Sequence, residues 1–157
     1  MGTEIERKYL VDHEKWKALN KPKGEHYRQG YIVNDDQRAV RVRVTGSHAY
    51  LTIKGPGESN ISRKEYEYEI PTTDGEELLA SFTNNGTEKI RYRIPAGMFT
   101  WEVDEFLGDN QGLIVAEIEL SDEQDKFEIP DWITEEVTDD SRYANSSLAI
   151  HPFNKWK

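Results

Sequence analysis

The stretch MGTEIERKYLV, Met1–Val11, sets the problem. Glu4, Glu6 and Lys8 recur at every second position. A β-strand sends successive side chains to opposite faces, so this spacing puts two carboxylates and an ammonium in one row, about 7 Å apart per step. Carboxylate oxygens are the ligands that a hard cation such as Mg2+ prefers, and an ammonium beside them suits an anion held against that cation. Charged residues alternating with apolar ones also make an ordinary half-exposed strand. Alone, the stretch leaves both readings open.

Working outward, the same alternation recurs. Arg38–Thr45, RAVRVRVT, carries Val40, Val42 and Val44 on one face and Arg41 and Arg43 on the other. Thr87–Ile94, TEKIRYRI, sets Lys89, Arg91 and Arg93 against Ile90, Tyr92 and Ile94. Arg63–Ile70, RKEYEYEI, puts Arg63, Glu65, Glu67 and Glu69 in register, Phe99–Leu107 pairs Glu102 with Asp104, and Leu113–Leu120 pairs Glu117 with Glu119. Glu25–Val33 and His48–Lys54 read as further strands. Turn residues separate them at Asn34–Gln37, Gly46-Ser47, Gly55-Pro56-Gly57, Asn84-Asn85-Gly86, Pro95-Ala96-Gly97 and Gly108–Gly112. Helices are predicted from Asp12 to about Asn20, with Trp16 and Leu19 as the apolar face, and over Gly75–Phe82 and Ser121–Phe127. Pro130–Thr138 reads as irregular or short helix, and a last helix runs from a cap at Asp140 or Ser141 to about Ile150. Eight short strands with a few helices give an α+β class dominated by an antiparallel barrel or sandwich.

The chain of 157 residues is expected to form one domain over 1–157. Its 8 Tyr, 5 Phe and 4 Trp make it too aromatic for a disordered chain. Without cysteine it has neither a disulfide framework nor a thiolate nucleophile. His13, His26, His48 and His151 lack ligand spacing, which argues against zinc. The first residues are charged, with no apolar signal region, and no run approaches a membrane span; the expected location is cytoplasmic. A net charge of −10 argues against a nucleic-acid or anionic-membrane surface but leaves room for a local basic pocket.

The sign pattern says more than the alternation. Arg41/Arg43, Lys89/Arg91/Arg93, Glu65/Glu67/Glu69 and Glu117/Glu119 are each of one sign. At about 7 Å a like-charged pair costs roughly 0.6 kcal/mol in water and about 2.4 kcal/mol at an effective dielectric near 20. Opposite charges on neighbouring strands would offset this. So would a ligand both anionic and metal-bound, since phosphate oxygens take Arg and Lys while the metal takes carboxylates. In that case the charged faces point inward and the Val and Ile faces lie under helices or a second subunit.

At this point the chain resembles a known family, the CYTH or triphosphate tunnel metalloenzymes. EIERKYLV is similar to the family's N-terminal Glu-x-Glu-x-Lys strand. YRQGYI, VRVRV, LTIKG, SRKEYEYEI, EKIRYRI, WEVDEF, VAEIEL and EEVTDDSRYANSSLA follow in the family's order. The resemblance implies an eight-stranded antiparallel barrel forming a tunnel, Mg2+- or Mn2+-dependent hydrolysis of a small-molecule triphosphate, and often a homodimer. It implies metal ligation by Glu4, Glu6, Glu65, Asp104, Glu117 and Glu119, with Glu102 a weaker member. Lys8, Arg41, Arg43, Lys54, Arg63 and Arg91 would grip phosphate oxygens, and Arg142 would reach back into the tunnel mouth. Lys89 and Tyr31 resemble a catalytic Lys–Tyr pair of short bacterial members, and Glu67 would position water. Tyr31 also reads as a wall aromatic, and Arg93, Glu69 and Glu105 as solvated surface. A lysine often found after Arg-Tyr in the last helix is replaced here by Ala144-Asn145-Ser146-Ser147.

The chain's small size leaves little for recognising a nucleobase, so the expected substrate is inorganic tripolyphosphate, cleaved to pyrophosphate and phosphate. A nucleoside or thiamine triphosphatase, a class IV-type adenylate cyclase, a non-catalytic polyphosphate-binding domain and a lipocalin-like barrel for apolar ligands are the alternatives.

Overall fold

β1 (Gly2–Val11) closes the structure. Through Ile5–Leu10 it pairs antiparallel with β8 (Ile114–Leu120), and through Gly2–Ile5 with β5 (Ser62–Ile70). Between those partners run β4 (Ala49–Ser59), β3 (Ala39–Val44), β2 (Glu25–Asn34), β6 (Asn85–Ala96) and β7 (Phe99–Phe106), each antiparallel to its neighbours. The result is a closed eight-stranded barrel. A short β9 (Ile133–Glu136) adds to β1 at Tyr9–Val11. The structure, a computed structural model, describes residues 2–59 and 61–156. The expected start of the first strand at Met1 lies outside the described residues.

Most of the apolar core lies outside the barrel wall. Outward-facing Tyr9, Val11, Trp101, Val103, Ala116, Ile118 and Leu120 are covered by Trp16 from α1 (His13–Ala18) and by Trp132 and Ile133. Aromatic edges knit the cover to the wall: Trp101 meets Tyr9 at 5.5 Å, Phe127 at 5.8 Å and Trp132 at 5.9 Å between ring centres. On the far side α2 (Thr72–Phe82) lies over β3 and β4. Gly75 allows this approach, since a Cβ there would stand 2.5 Å from that of Ala49. A second apolar cluster seals one end of the barrel. Phe106, Leu113 and Val115 pack there with Leu10, Tyr143, Phe153, Trp156 and Leu148 of α3 (Asn145–Ile150).

Several local expectations are corrected. Residues 121–127 form no helix: the Asp125 carboxylate takes the N–H groups of Ser121 and Asp122 at 2.8 and 3.1 Å, closing a turn that lets Phe127 reach the core. The stretch read as irregular or short helix, Pro130–Thr138, supplies β9. Gly55-Pro56-Gly57, expected as a loop, stays within β4, with a register shift between Pro56 and Ser59 where the missing proline N–H is tolerated. The last helix is broken. Asp140 caps a 3-10 turn over Ser141–Tyr143, Ala144 is extended (φ −67°, ψ 140°), and α3 begins at Asn145. Among the described residues no helix is long and apolar enough to cross a membrane.

Candidate active site

Because the pleat alternates, the charged faces of the strands all point into the barrel. They enclose a cavity of about 190 Å³. β1 contributes Glu4, Glu6 and Lys8, β8 Glu117 and Glu119, and β5 Arg63, Glu65 and Glu67. β3 gives Arg41 and Arg43, β4 Lys54, β6 Arg91, and β2 Tyr31. The barrel interior is therefore the opposite of an apolar-ligand pocket, and the lipocalin-like alternative is overturned.

Charge is sorted into two poles with a tie between them. On one wall Glu6 stands directly opposite Glu119 across the β1–β8 ladder, and Glu102 opposite Glu117 across β7–β8. Like charges facing one another destabilise a ladder. Burial, then Glu117 and Glu4, push the Glu6 carboxyl up to about 8. Burial and Glu4 also raise Glu65 and Glu119. Lys54 offsets part of this, lying 3.1 Å from Glu4 and 3.5 Å from Glu65. On the other wall burial, with Arg41 and Arg91, pulls the Arg43 guanidinium down to about 10. The buried Nε–H of Arg41 has no acceptor among the described residues. Lys8–Glu117 at 3.2 Å and Arg91–Glu117 at 3.3 Å join the poles. Burial works against it, yet Lys8 and Arg91 hold Glu117 well below the usual carboxylate range.

Beneath the cavity lies a second layer. Asp104 is 1% exposed and takes Arg91 in a two-pronged grip, Nε to Oδ1 at 2.8 Å and a terminal nitrogen to Oδ2 at 2.9 Å. The same Oδ2 accepts from Lys89 Nζ at 2.7 Å. Lys89 is fully buried, and burial pulls its ammonium down to about 7; Asp104 opposes this, while Arg91 and Arg43 add to it.

Three sequence expectations fail on position. Asp104 does not line the cavity; it lies beneath it as the counter-ion of Arg91 and Lys89. Arg142 does not reach the mouth. It bonds Asp140 at 2.7 Å and lies over the Trp156 ring at 4.8 Å, with 60% of its side chain exposed. Among the described residues Lys89 and Tyr31 share no hydrogen bond, Lys89 being held by Asp104 and Asn145. Lys89 faces Tyr27 in the β2–β6 ladder and Tyr31 faces Asn85, four residues further along, which is about 13 Å by strand rise. Glu67 lines the cavity, accepting from Thr52 Oγ1 at 2.8 Å and lying 3.5 Å from Arg41.

The cavity also contains residues the sequence reading passed over. Arg93, expected at the surface, lines it together with Glu102 and bonds the Tyr27 hydroxyl at 2.8 Å. Ala144, Asn145 and Ser146 line it from the C-terminal segment. Asn145 looked like a residue inside a longer helix; the extended Ala144 puts it instead at the start of α3, facing the barrel. Glu105 does lie outside the barrel, taking the Trp16 indole N–H at 2.6 Å.

The donors on the acidic wall suit a hard divalent cation, because all are carboxylate oxygens. Among the described residues no three such side chains stand close enough to form a ready-made metal cluster. Glu4 and Glu65 lean on Lys54, whereas Glu6 and Glu119 are engaged by no ion pair among the described residues.

Comparison with known proteins places the geometry. The family model for the CYTH domain matches residues 2–149. The chain is similar to an inorganic triphosphatase of Acetivibrio thermocellus, 51% identical over 100% of this chain and 99% of that one. It is also similar to an inorganic triphosphatase of Nitrosomonas europaea, at 37% identity over 94% and 97% of the two chains. A crystal structure of an inorganic triphosphatase superposes with a TM-score of 0.65 at 32% identity, covering 96% of each chain.

Proposed function

The chain belongs to the CYTH family, and from that premise we propose that it hydrolyses inorganic tripolyphosphate to pyrophosphate and orthophosphate with the help of a divalent cation. One observation carries the reading. A single cavity holds a wall on which Glu6 faces Glu119, and another on which Arg41, Arg43 and Arg91 crowd together. Each wall is electrostatically unfavourable alone; a metal-bound polyanion complements both. Two relatives that bear the name inorganic triphosphatase support the same substrate.

The cationic side chains Lys8, Arg41, Arg43, Lys54, Arg63 and Arg91 bind the phosphate oxygens, Arg41 through an Nε–H that has no other acceptor among the described residues. Glu4, Glu6, Glu65, Glu117 and Glu119, which line the cavity, would hold Mg2+ or Mn2+. Lys54, which holds Glu4 and Glu65 here, would then be free to turn to phosphate. When bound, the cation neutralises phosphate charge and helps orient the triphosphate. Glu67, fixed by Thr52, orients a water at one terminal phosphorus. The water oxygen forms a bond to that phosphorus and gives up a proton to the Glu67 carboxylate, the bond from phosphorus to the bridging oxygen breaks, and pyrophosphate leaves. Arg91, which lines the cavity, stabilises charge on the oxygens around the reacting phosphorus, and Lys89, buried on the same Asp104, adds its charge from beneath. Tyr31 serves as wall.

The test is phosphate release from tripolyphosphate with Mg2+, with Mn2+ and with excess chelator, run beside ATP and thiamine triphosphate. Metal-dependent release, fastest with tripolyphosphate, is expected. ATP yielding cyclic AMP and pyrophosphate, or tight binding without turnover under either metal, overturns the proposal.

A further inference from the structure

Asn145 is not a barrel residue. It opens α3, in the C-terminal segment that crosses one end of the barrel, and its side chain lines the cavity. Its Oδ1 accepts from Lys89 Nζ at 3.0 Å and from Gln29 Nε2 at 3.1 Å. Gln29 in turn accepts from Arg43 Nε at 3.0 Å. A hydrogen-bonded chain thus runs from Arg43 through Gln29 and Asn145 to Lys89 and on to Asp104. The segment that delivers Asn145 is held from behind. Asn34 Nδ2 donates to the Ser146 carbonyl at 3.0 Å, and Leu148 is buried in the apolar seal.

The ammonium geometry gives this contact its consequence. An ammonium has three protons arranged about one nitrogen. Asp104 takes one from Lys89 and Asn145 a second. Fixing two of the three N–H directions fixes the third. Without Asn145 the ammonium would swing about its single bond to Asp104, and a fully buried ammonium has no water to take up the freed proton.

We propose that Asn145 is a positioning residue, which holds the buried Lys89 ammonium on Asp104 beneath the cavity and links it to Arg43. The proposal rests on the reading of Lys89 as a buried charge that acts on the substrate from beneath the cavity.

The experiment measures kcat and KM for tripolyphosphate in Asn145→Leu, Asn145→Asp, Lys89→Met and the double variant Asn145→Leu/Lys89→Met, with thermal unfolding of each. Misplacement by an ångström costs about a hundredfold. Asn145→Leu is therefore expected to lose about ten- to a hundredfold in kcat with KM changed less than about threefold. Asn145→Asp, which keeps the acceptor, should recover most of that loss. In the Lys89→Met background, Asn145→Leu should cost less than about twofold more. An equal loss in both backgrounds, or Asp as poor as Leu, overturns the positioning role. If Lys89→Met alone keeps wild-type kcat, the reading of Lys89 falls and the proposal with it, a result distinct from the other two. If Asn145→Leu does not fold, Asn145→Ala carries the same comparison.

Discussion

Replacing Asp104 by Asn tests the layer beneath the cavity. The substitution keeps shape and removes one negative charge. Asp104 is 1% exposed and makes three charge-assisted bonds, two to Arg91 and one to Lys89, between 2.7 and 2.9 Å. Breaking a buried pair by removing one partner costs about 3–5 kcal/mol, because the remaining charge is stranded. Here two cations lose their main partner. Arg91 keeps Glu102 and Glu117, both at 3.3 Å, and Lys89 keeps Asn145, which favours the lower half of that range. For a chain of this size each kcal/mol moves the unfolding midpoint by about 2–4 °C, so a drop of roughly 6–16 °C is expected at neutral pH. The pH dependence follows from two opposite shifts. Asp104 lies below the usual carboxylate range, Arg91 and Lys89 outweighing burial, so its stabilisation is full above about pH 4 and lost as pH falls through the lower folded value. Lys89 is pulled down to about 7, so between there and the ordinary lysine range the unfolded chain holds a proton the folded one does not, and stability rises with pH across that window. In Asp104→Asn the acid-side loss shrinks, and the alkaline-side rise begins at lower pH. Urea unfolding at several pH values measures both. A neutral-pH loss below about 1 kcal/mol, or an unchanged acid limb, refutes the counter-ion role.

Three further outcomes are expected. Glu119→Gln removes one of the two facing carboxylates; kcat should fall by about a hundredfold and the metal concentration for half-activity should rise, with Tm steady or slightly higher, as read from metal titrations of phosphate release and from thermal unfolding. Arg142→Ala should leave kcat/KM within about threefold of wild type, because its guanidinium is held outside the cavity by Asp140 and Trp156; a hundredfold loss would show that it enters the mouth during turnover. Trp16→Ala, at a side chain 2% exposed beneath the outer cover, should cost about 3–5 kcal/mol in urea unfolding while kcat of the folded fraction holds.

Period-two alternation made the strands legible, and the series of motifs implied the closed barrel, while the order in which the strands pair came from the structure. What one strand could not say was which face is inside; the single-sign runs Arg41/Arg43 and Glu117/Glu119 carried that information, because an exterior rarely tolerates them. The failures share a physical origin in side-chain reach and backbone breaks. Asp104 shares its face with Glu102 but lies one step deeper, where Lys89 and Arg91 take its oxygens. Arg142 sits in a motif that suggested the tunnel, but Asp140, two residues away, holds it. Asn145 was hidden by a helix expected to run unbroken through Ala144, whose extended backbone no composition signals. The turn at 121–125 shows aspartates competing with a helix for backbone N–H groups.

β1 is bonded to β5, β8 and β9, and two of these partners lie in the last third of the chain. During synthesis Glu6 must wait for Glu119, and Tyr9 for Glu136. Such distant pairings are slow, and until they form the growing polypeptide carries open sheet edges that invite association with other chains. The hydrolytic chamber therefore arises late and all at once, when the ring shuts, and a ribosome stalled before β8 would release a product with neither a closed wall nor a complete set of acids.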